Sequence, residues 1–450
     1  MIEKEKMVEV LESSFVVPSE QTPMERMRLS NIDQVAPHKH IGFVYLYEGS
    51  QAKDFFSLEI LKASLSKTLV LLYPLAGRFV DSEDGRKEID CNAKGCLFVV
   101  ARSDLTSDSI MFQPSPELRK LFIPFADFPG SLSLVATIQV TYLKCGGLVV
   151  GISTNHILID GSSLFYFVQT WARITRGDMA NIIPPSFDHN LLRARSPPRI
   201  SFHYPEYTTD PPRSSAPICV TSTFKISSKQ IRCLKSQPRG GNTSTRISAF
   251  SIISGLVWKC YCISQGLAPS SQARLMFNAN VRERLCPPLP KTYFGNAVIR
   301  KYATSEVFQI TSYPVAVVAE IVQAAIDGIT DEFVRSFIDY LEVMQGRNLR
   351  PALDLTQSEL RIASISRFPV SDADFGWGAP QQFSKAESTG NNVVYVLDEP
   401  GNKGGYQLYV ALDPTIMPRF RKAFYQELVP EQTENHGFFT LQSAGHRSRL

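Results

Sequence analysis

The chain has 450 residues, 44% of them hydrophobic and 20% charged, with a formal net charge of +4; this is too long for one ordinary core and suits two domains of roughly two hundred residues each. Lys and Arg are dispersed rather than gathered in a stripe, which disfavours nucleic-acid binding, and the eight cysteines, with Cys260 and Cys262 as the one close pair, have no zinc-type spacing and read as reduced thiols. Met1 to Leu11 is charged and lacks an apolar signal core, and the apolar run around Leu69 to Ala76 is short and broken by Pro74, so neither secretion nor a membrane span is expected.

In chain order, Phe55, Leu58, Leu61, Leu65 and Leu69 recur at helical spacing and predict a packed helix. Leu132, Leu134, Ala136, Ile138 and Val140 alternate with other residues, and Leu148 to Ser153 is short, apolar and β-rich; both read as strands of a buried sheet. Leu164, Phe167, Val168, Trp171 and Ile174 resume helical spacing, with Asp160, Ser162 or Ser163 available to cap the first turn. Residues 184–217 carry Pro184, Pro185, Pro197, Pro198, Pro205, Pro211, Pro212 and Pro217 in a polar setting and form the expected crossover between domains. Its Arg193, Arg195 and Arg199 receive no role, because charges on such a linker are usually solvated. Beyond it, Ile252, Ile253, Leu256, Val257 and Cys260 predict a buried helix, Leu275 to Val281 a strand, Asp331 to Met344 a helix, and Val393 to Leu397 and Tyr406 to Leu412 strands. The mixed order fits an α/β fold, with an N-terminal domain over 1–183, the crossover at 184–217, a C-terminal domain over 218–429 and a flexible tail over 430–450.

The chemistry concentrates at Asn155-His156-Ile157-Leu158-Ile159-Asp160-Gly161, where a strand ends and a helix begins. An imidazole on that corner can be held rigidly, face a cleft, and take a proton from an alcohol or amine near neutral pH. Taken alone, His-x-x-x-Asp is a weak signal, and a histidine beside an apolar strand is more often a hydrogen-bonded core residue. Asp374-Phe375-Gly376-Trp377-Gly378 is far more specific. Its opening residues also occur in protein kinases, but no Gly-rich phosphate loop or His-Arg-Asp loop accompanies them. Ser162 and Ser163 lie close to His156, yet no Gly-x-Ser-x-Gly elbow supports a covalent serine mechanism. His38 and His40 lack a third ligand at useful spacing, so no metal is expected.

With Ser30-Asn31-Ile32-Asp33, Tyr73-Pro74-Leu75-Ala76-Gly77-Arg78, Ile89-Asp90-Cys91-Asn92, Pro287-Pro288-Leu289-Pro290 and Tyr293-Phe294-Gly295-Asn296 added to these motifs, nearly the whole chain resembles the plant BAHD family of CoA-dependent acyltransferases. It looks most like the branch using hydroxycinnamoyl-CoA donors, which includes shikimate, quinate and long-chain hydroxy-lipid acyltransferases. The resemblance implies two chloramphenicol-acetyltransferase-like domains with a channel between them. It also implies an acyl-CoA co-substrate, a small alcohol or amine acceptor, no bound cofactor, and a monomer. His156 would be the general base; Asp160 would point away from substrate and pair with an arginine, Arg282 or Arg284, with Arg282 preferred by alignment. Asp374, Gly376, Trp377 and Gly378 would shape the second domain away from the histidine, near the CoA end of the channel. A catalytically silent binding protein is the alternative of another class, and an intact His156 argues against it.

Acceptor identity rests on departures from the relatives. After the Ser-Asn-x-Asp segment, shikimate-type members offer small hydroxyl residues where this chain has Ile41 and Phe43, with Tyr45 retained; before the second motif, Thr-Ser-Trp-x-Arg is replaced by Ala363-Ser364-Ile365-Ser366-Arg367. A less polar pocket disfavours shikimate and quinate, unless Ile41, Phe43 and Ile365 simply pack in the core. Hydroxycinnamoyl, benzoyl and aliphatic CoA esters all remain open as donors. The terminal Ser448-Arg449-Leu450 is similar to a Ser-Lys-Leu address and leads us to expect the peroxisome, with cytosol as the family default.

Overall fold

The computed structural model describes residues 7–50, 54–124, 133–211, 219–239, 246–388, 390–402 and 404–428. Twelve strands build two six-stranded mixed sheets. In chain order they are β1 (Val8–Val16), β2 (His40–Tyr47), β3 (Cys96–Ser103), β4 (Ala136–Leu143), β5 (Leu148–Asn155), β6 (Val220–Ile226), β7 (Gln272–Asn280), β8 (Val298–Glu306), β9 (Glu359–Ser364), β10 (Gln382–Lys385), β11 (Val393–Asp398) and β12 (Tyr406–Leu412). The first sheet runs β1-β3-β4-β5-β2-β10, antiparallel except for the parallel β3/β4 pair. The second runs β6-β12-β11-β9-β7-β8, with β11, β9 and β7 mutually parallel. The expected α/β architecture of two sheets with helices is present.

β5 is buried along its whole length because both faces are covered: Leu148, Val150 and Ile152 enter the main core of the first half, and Val149 a smaller one behind the sheet. After the short helix α1 (Asn31–Gln34), helix α2 (Leu58–Leu71) and helix α3 (Gly161–Thr175) close over the main core. Trp171 is buried between them, its indole N–H donating to Leu61 O at 3.2 Å. The first of these helices starts at Leu58, not Phe55, because Ser57 caps it. The strand expected from Leu132 begins at Ala136; Leu134 makes an isolated bridge to Arg78, and Leu132 lies outside the described residues. In the second half, helix α4 (Ala249–Gln265) is buried nearly all round and packs against helix α5 (Val315–Asp327). Gly255 permits this approach, since a Cβ there would lie 2.9 Å from Ala319 N.

The Asp374 to Gly378 motif departs from its expected place in the C-terminal domain. Ala373 and Phe375 belong to the first half's core, with Phe375 edge-on to Trp171 at 4.7 Å and Trp377 4.8 Å from Phe56. Asp374 Oδ1 accepts from Gly376 N at 2.8 Å and Gly378 N at 3.0 Å, closing a turn in which both glycines take positive φ, 103° and 106°. The chain then runs into β10, which pairs with β2 as an edge strand of the first sheet. The motif therefore locks a second-half segment onto the first half.

In the crossover, Arg195 is structural: it donates to Asp339 at 2.6 Å and Glu332 at 2.8 Å, both on helix α6 (Asp331–Val343). Among the described residues no helix is long and apolar enough to cross a membrane, and no group of three or more His, Cys, Asp or Glu is placed to hold a metal. The tail from 430, with Ser448-Arg449-Leu450, lies outside the described residues.

Gly376→Ala tests the lock. An alanine at that φ is strained and its Cβ would sit 3.3 Å from Arg176 Cγ, so stability should fall by about 1–3 kcal/mol. Denaturant unfolding reads this out, and an unchanged midpoint would show that the turn does not carry the docking.

Candidate active site

His156 follows the last residue of β5, and its backbone is held from two directions. Its N–H donates to Lys39 O at 3.0 Å, just before β2, and its carbonyl accepts from Asn296 Nδ2 at 2.9 Å. The ring is half-buried, and Nδ1 is buried without a hydrogen-bond partner. Burial, followed by the positive charge of Arg300, pulls the imidazole down to about 4, against the weaker pull of Asp160 in the other direction. His156 is therefore a neutral imidazole at pH 7, with a lone pair available.

Asp160 does not touch it. The carboxylate caps helix α3 by accepting from Ser163 N at 3.0 Å, accepts from Ala297 N at 3.1 Å, and takes two bonds from Arg282, Nη1 to Oδ2 at 2.7 Å and Nη2 to Oδ1 at 3.0 Å. Both side chains are almost fully buried. Burial pushes the Asp160 carboxyl up, and the Arg282 guanidinium more than reverses this, holding it below the usual carboxylate range. Arg282 also donates to Gly295 O at 2.9 Å, so the helix cap, the arginine and the Tyr293 to Asn296 loop form one unit. Arg284 is elsewhere, donating to Ile329 O.

A second unit was not predicted in any role. Asp33 is fully buried, and its Oδ1 accepts from Asn296 N at 2.7 Å and Asn296 Nδ2 at 2.9 Å. Its Oδ2 accepts from Ser30 N at 2.9 Å and lies 3.0 Å from His189 Nδ1. Asn296 Nδ2 also reaches the carbonyls of His156 and Ile157. The Ser30 to Asp33 and Tyr293 to Asn296 motifs thus meet behind the histidine and fix its main chain. The local signal available was the Ser-x-x-Asp capping box at Ser30, which predicts a helix start but not this long-range bond.

Four of the six expected acceptor residues, Phe43, Tyr45, Ala363 and Ile365, come together around Phe383. Phe43 stacks on Phe383 at 5.6 Å, Tyr45 lies 4.9 Å from the same ring, Ala363 and Ile365 pack on the cluster containing Phe383 and Tyr395, and Ile41 borders the neighbouring core. Phe165 adds a further ring, stacked on Phe368 at 4.5 Å. The Tyr45 hydroxyl is buried there with no partner. Arg367 stands apart: it is exposed, takes φ 66°, and lines a different cavity with Ser248, Asn278 and Tyr406. Ser163 is occupied with Gly295, donating to its carbonyl at 3.0 Å and accepting from its N–H at 3.1 Å, which leaves it no role as a nucleophile for His156.

Asp160→Asn should cost about 3–5 kcal/mol, because it leaves the Arg282 charge buried without its counter-ion. The expected outcome is a lowered melting temperature together with reduced activity. A wild-type melting temperature with abolished turnover would instead place Asp160 in the chemistry.

The chain matches known proteins along nearly its full length. A family model described as the Transferase family covers residues 6–427. Putrescine hydroxycinnamoyltransferase 1 of Oryza sativa subsp. japonica is 38% identical, over 94% of this chain and 99% of that protein. Shikimate O-hydroxycinnamoyltransferase of Nicotiana tabacum is 36% identical, over 93% and 99%. Among solved structures, vinorine synthase superposes with a TM-score of 0.72 at 22% identity, over 92% of this chain and 96% of that one. The sequence identity along nearly the full length decides the matter: the chain belongs to the Transferase family of BAHD acyl-CoA-dependent acyltransferases.

Proposed function

We propose that this enzyme moves an aromatic acyl group, hydroxycinnamoyl or benzoyl, from CoA to the amine or hydroxyl of a small plant metabolite, with His156 as general base and no acyl-enzyme. The observation that carries the mechanism is the neutral, half-buried imidazole whose neighbouring aspartate is already committed to Arg282. His156 removes the proton of the nucleophile as it attacks the thioester carbonyl; the new N–C or O–C bond forms, the C–S bond breaks, and the imidazolium returns its proton to the departing thiolate. The rings of Phe43, Phe165, Phe368 and Phe383 favour a flat aromatic partner, and Ile41, Phe43, Ala363 and Ile365 favour an acceptor with fewer hydroxyls than shikimate or quinate.

A cavity of about 280 Å³ beside the start of helix α4, lined by Ser248, Asn278, Ser364 and Arg367, is our candidate for the CoA phosphates. Burial and then the charges of Arg246 and Arg367 push the neighbouring Lys235 ammonium down, as in a cationic patch awaiting an anion.

His156→Ala should leave a folded protein whose release of thiol from acyl-CoA falls at least about a hundredfold; near-normal turnover would overturn the mechanism. The pH profile carries a second expectation. Because the folded value is depressed from 6.5 to about 4, the base stays deprotonated as pH falls through 6.5, and the acidic limb of kcat/KM should lie well below that of a free histidine. The same sign makes His156's contribution to stability complete above 6.5 and lost progressively as pH falls toward 4. An acidic limb at or above 6.5 would contradict both.

A further inference from the structure

Four cations act on one another on the face between the two sheets, and two of them, Arg300 and Lys385, act on His156. Lys39 is its cross-strand neighbour, joined through the backbone bond at 3.0 Å. Lys385 stands on β10 opposite Phe43, and its ammonium reaches across to lie 5.3 Å from the Tyr395 ring on β11. Arg361 on β9 and Arg300 on β8 flank β7, paired with Met276 and Asn278 respectively. Met276 and Asn278 alternate with Leu275 and Phe277, which enter the core of the second half. Both arginines therefore project from the opposite face, toward the first half.

These charges repel one another. Burial, then Lys385 and then Arg361 push Lys39 down, Arg361 acts on Arg300, and both Arg300 and Lys385 act on His156. The nearby acids are engaged: Glu387 with Arg119 at 2.7 Å and Glu359 with Arg274 at 2.5 Å, while burial keeps Glu206 raised and its Oε1 accepts from Tyr302 N. Among the described residues Arg300 has no carboxylate partner; its guanidinium lies 5.9 Å from the Tyr207 ring and its Nε is buried and unbonded. A half-buried guanidinium with a buried, unbonded Nε and no carboxylate is costly unless a ligand supplies the anion. The CoA phosphates cannot be that ligand, since the pantetheine arm holds them a full arm's length from the thioester that must meet His156. A group beside the base belongs to the molecule the base deprotonates.

We propose that the acceptor carries a carboxylate close to its nucleophilic amine or hydroxyl, and that Arg300, with Lys385 and Arg361, holds that carboxylate while His156 takes the proton. This rests on the acyl-transfer assignment and narrows it to aromatic amino- or hydroxy-carboxylates, excluding polyamines.

The test pairs each member of a panel of aromatic amino- and hydroxy-carboxylates with its methyl ester, adds 1,4-diaminobutane, and follows thiol release from benzoyl-CoA and p-coumaroyl-CoA. The acid should exceed its ester in kcat/KM by at least about tenfold, mainly through KM. Arg300→Met and, independently, Lys385→Met should collapse that ratio, and Arg300→Lys should partly restore it. Preference for the ester or the diamine, or variants that lower acid and ester equally, would overturn the proposal. So would a preference for malonyl-CoA over acetyl-CoA that is lost in the same variants, which would assign the cations to the donor. No thiol release with any acceptor would instead remove the acyl-transfer assignment beneath it.

Discussion

The Asp160–Arg282 ion pair is the constraint from which the active site follows. It joins the cap of helix α3 to the loop that precedes β8, and so ties the corner bearing His156 to the second half of the chain. Replacing such a pair with well-packed apolar groups is often neutral for stability. What an apolar pair could not supply is geometry: two parallel bonds fix the orientation of both planes and leave the remaining carboxylate and guanidinium positions for Ala297, Ser163 and Gly295.

The same pair has an electrostatic consequence. An aspartate bonded to the imidazole would raise its basicity and set its tautomer; here that aspartate is neutralised, and Nδ1 is left buried and unbonded. Orientation of the base is achieved through its main chain instead, by Lys39 on one side and by Asn296, itself anchored on Asp33, on the other. Rigid backbone placement and a depressed basicity are thus two results of one arrangement.

How much of this could be read beforehand depended on range in sequence. The Asp160–Arg282 pair was legible because the arginine partner came with the family resemblance, and His156 drew notice because the strand-to-helix corner is a local pattern. The Asp33–Asn296 bond spans 263 residues, and nothing periodic links its ends. β10 has only four residues, too few for alternation to declare a strand, and its partner β2 is more than three hundred positions away. The Asp374 to Gly378 turn was misplaced for the same reason: its aromatic residues look like any second-half core until Trp171 and Phe56 are seen to receive them. Arg300, Arg361 and Lys385 were overlooked because charges on alternating strand positions ordinarily mark a solvated face, and here that face is covered by the other sheet.

Those buried cations and the depressed histidine belong together. A base near 4 is a weaker proton acceptor than the optimum near neutrality, so in the free enzyme His156 is deprotonated at neutral pH but poorly driven. Part of the depression comes from Arg300 and Lys385. A carboxylate docked on those groups cancels their field at the imidazole and moves its basicity up toward the working pH, while desolvation, the larger cause, holds it below that of a free histidine. An anionic acceptor would then strengthen the base that is to deprotonate it, and a neutral or cationic one would not. Discrimination by charge would in that case reside in the proton-transfer step as well as in binding, and the cost of holding Arg300 without a carboxylate in the free enzyme is offset only when the matching substrate is bound.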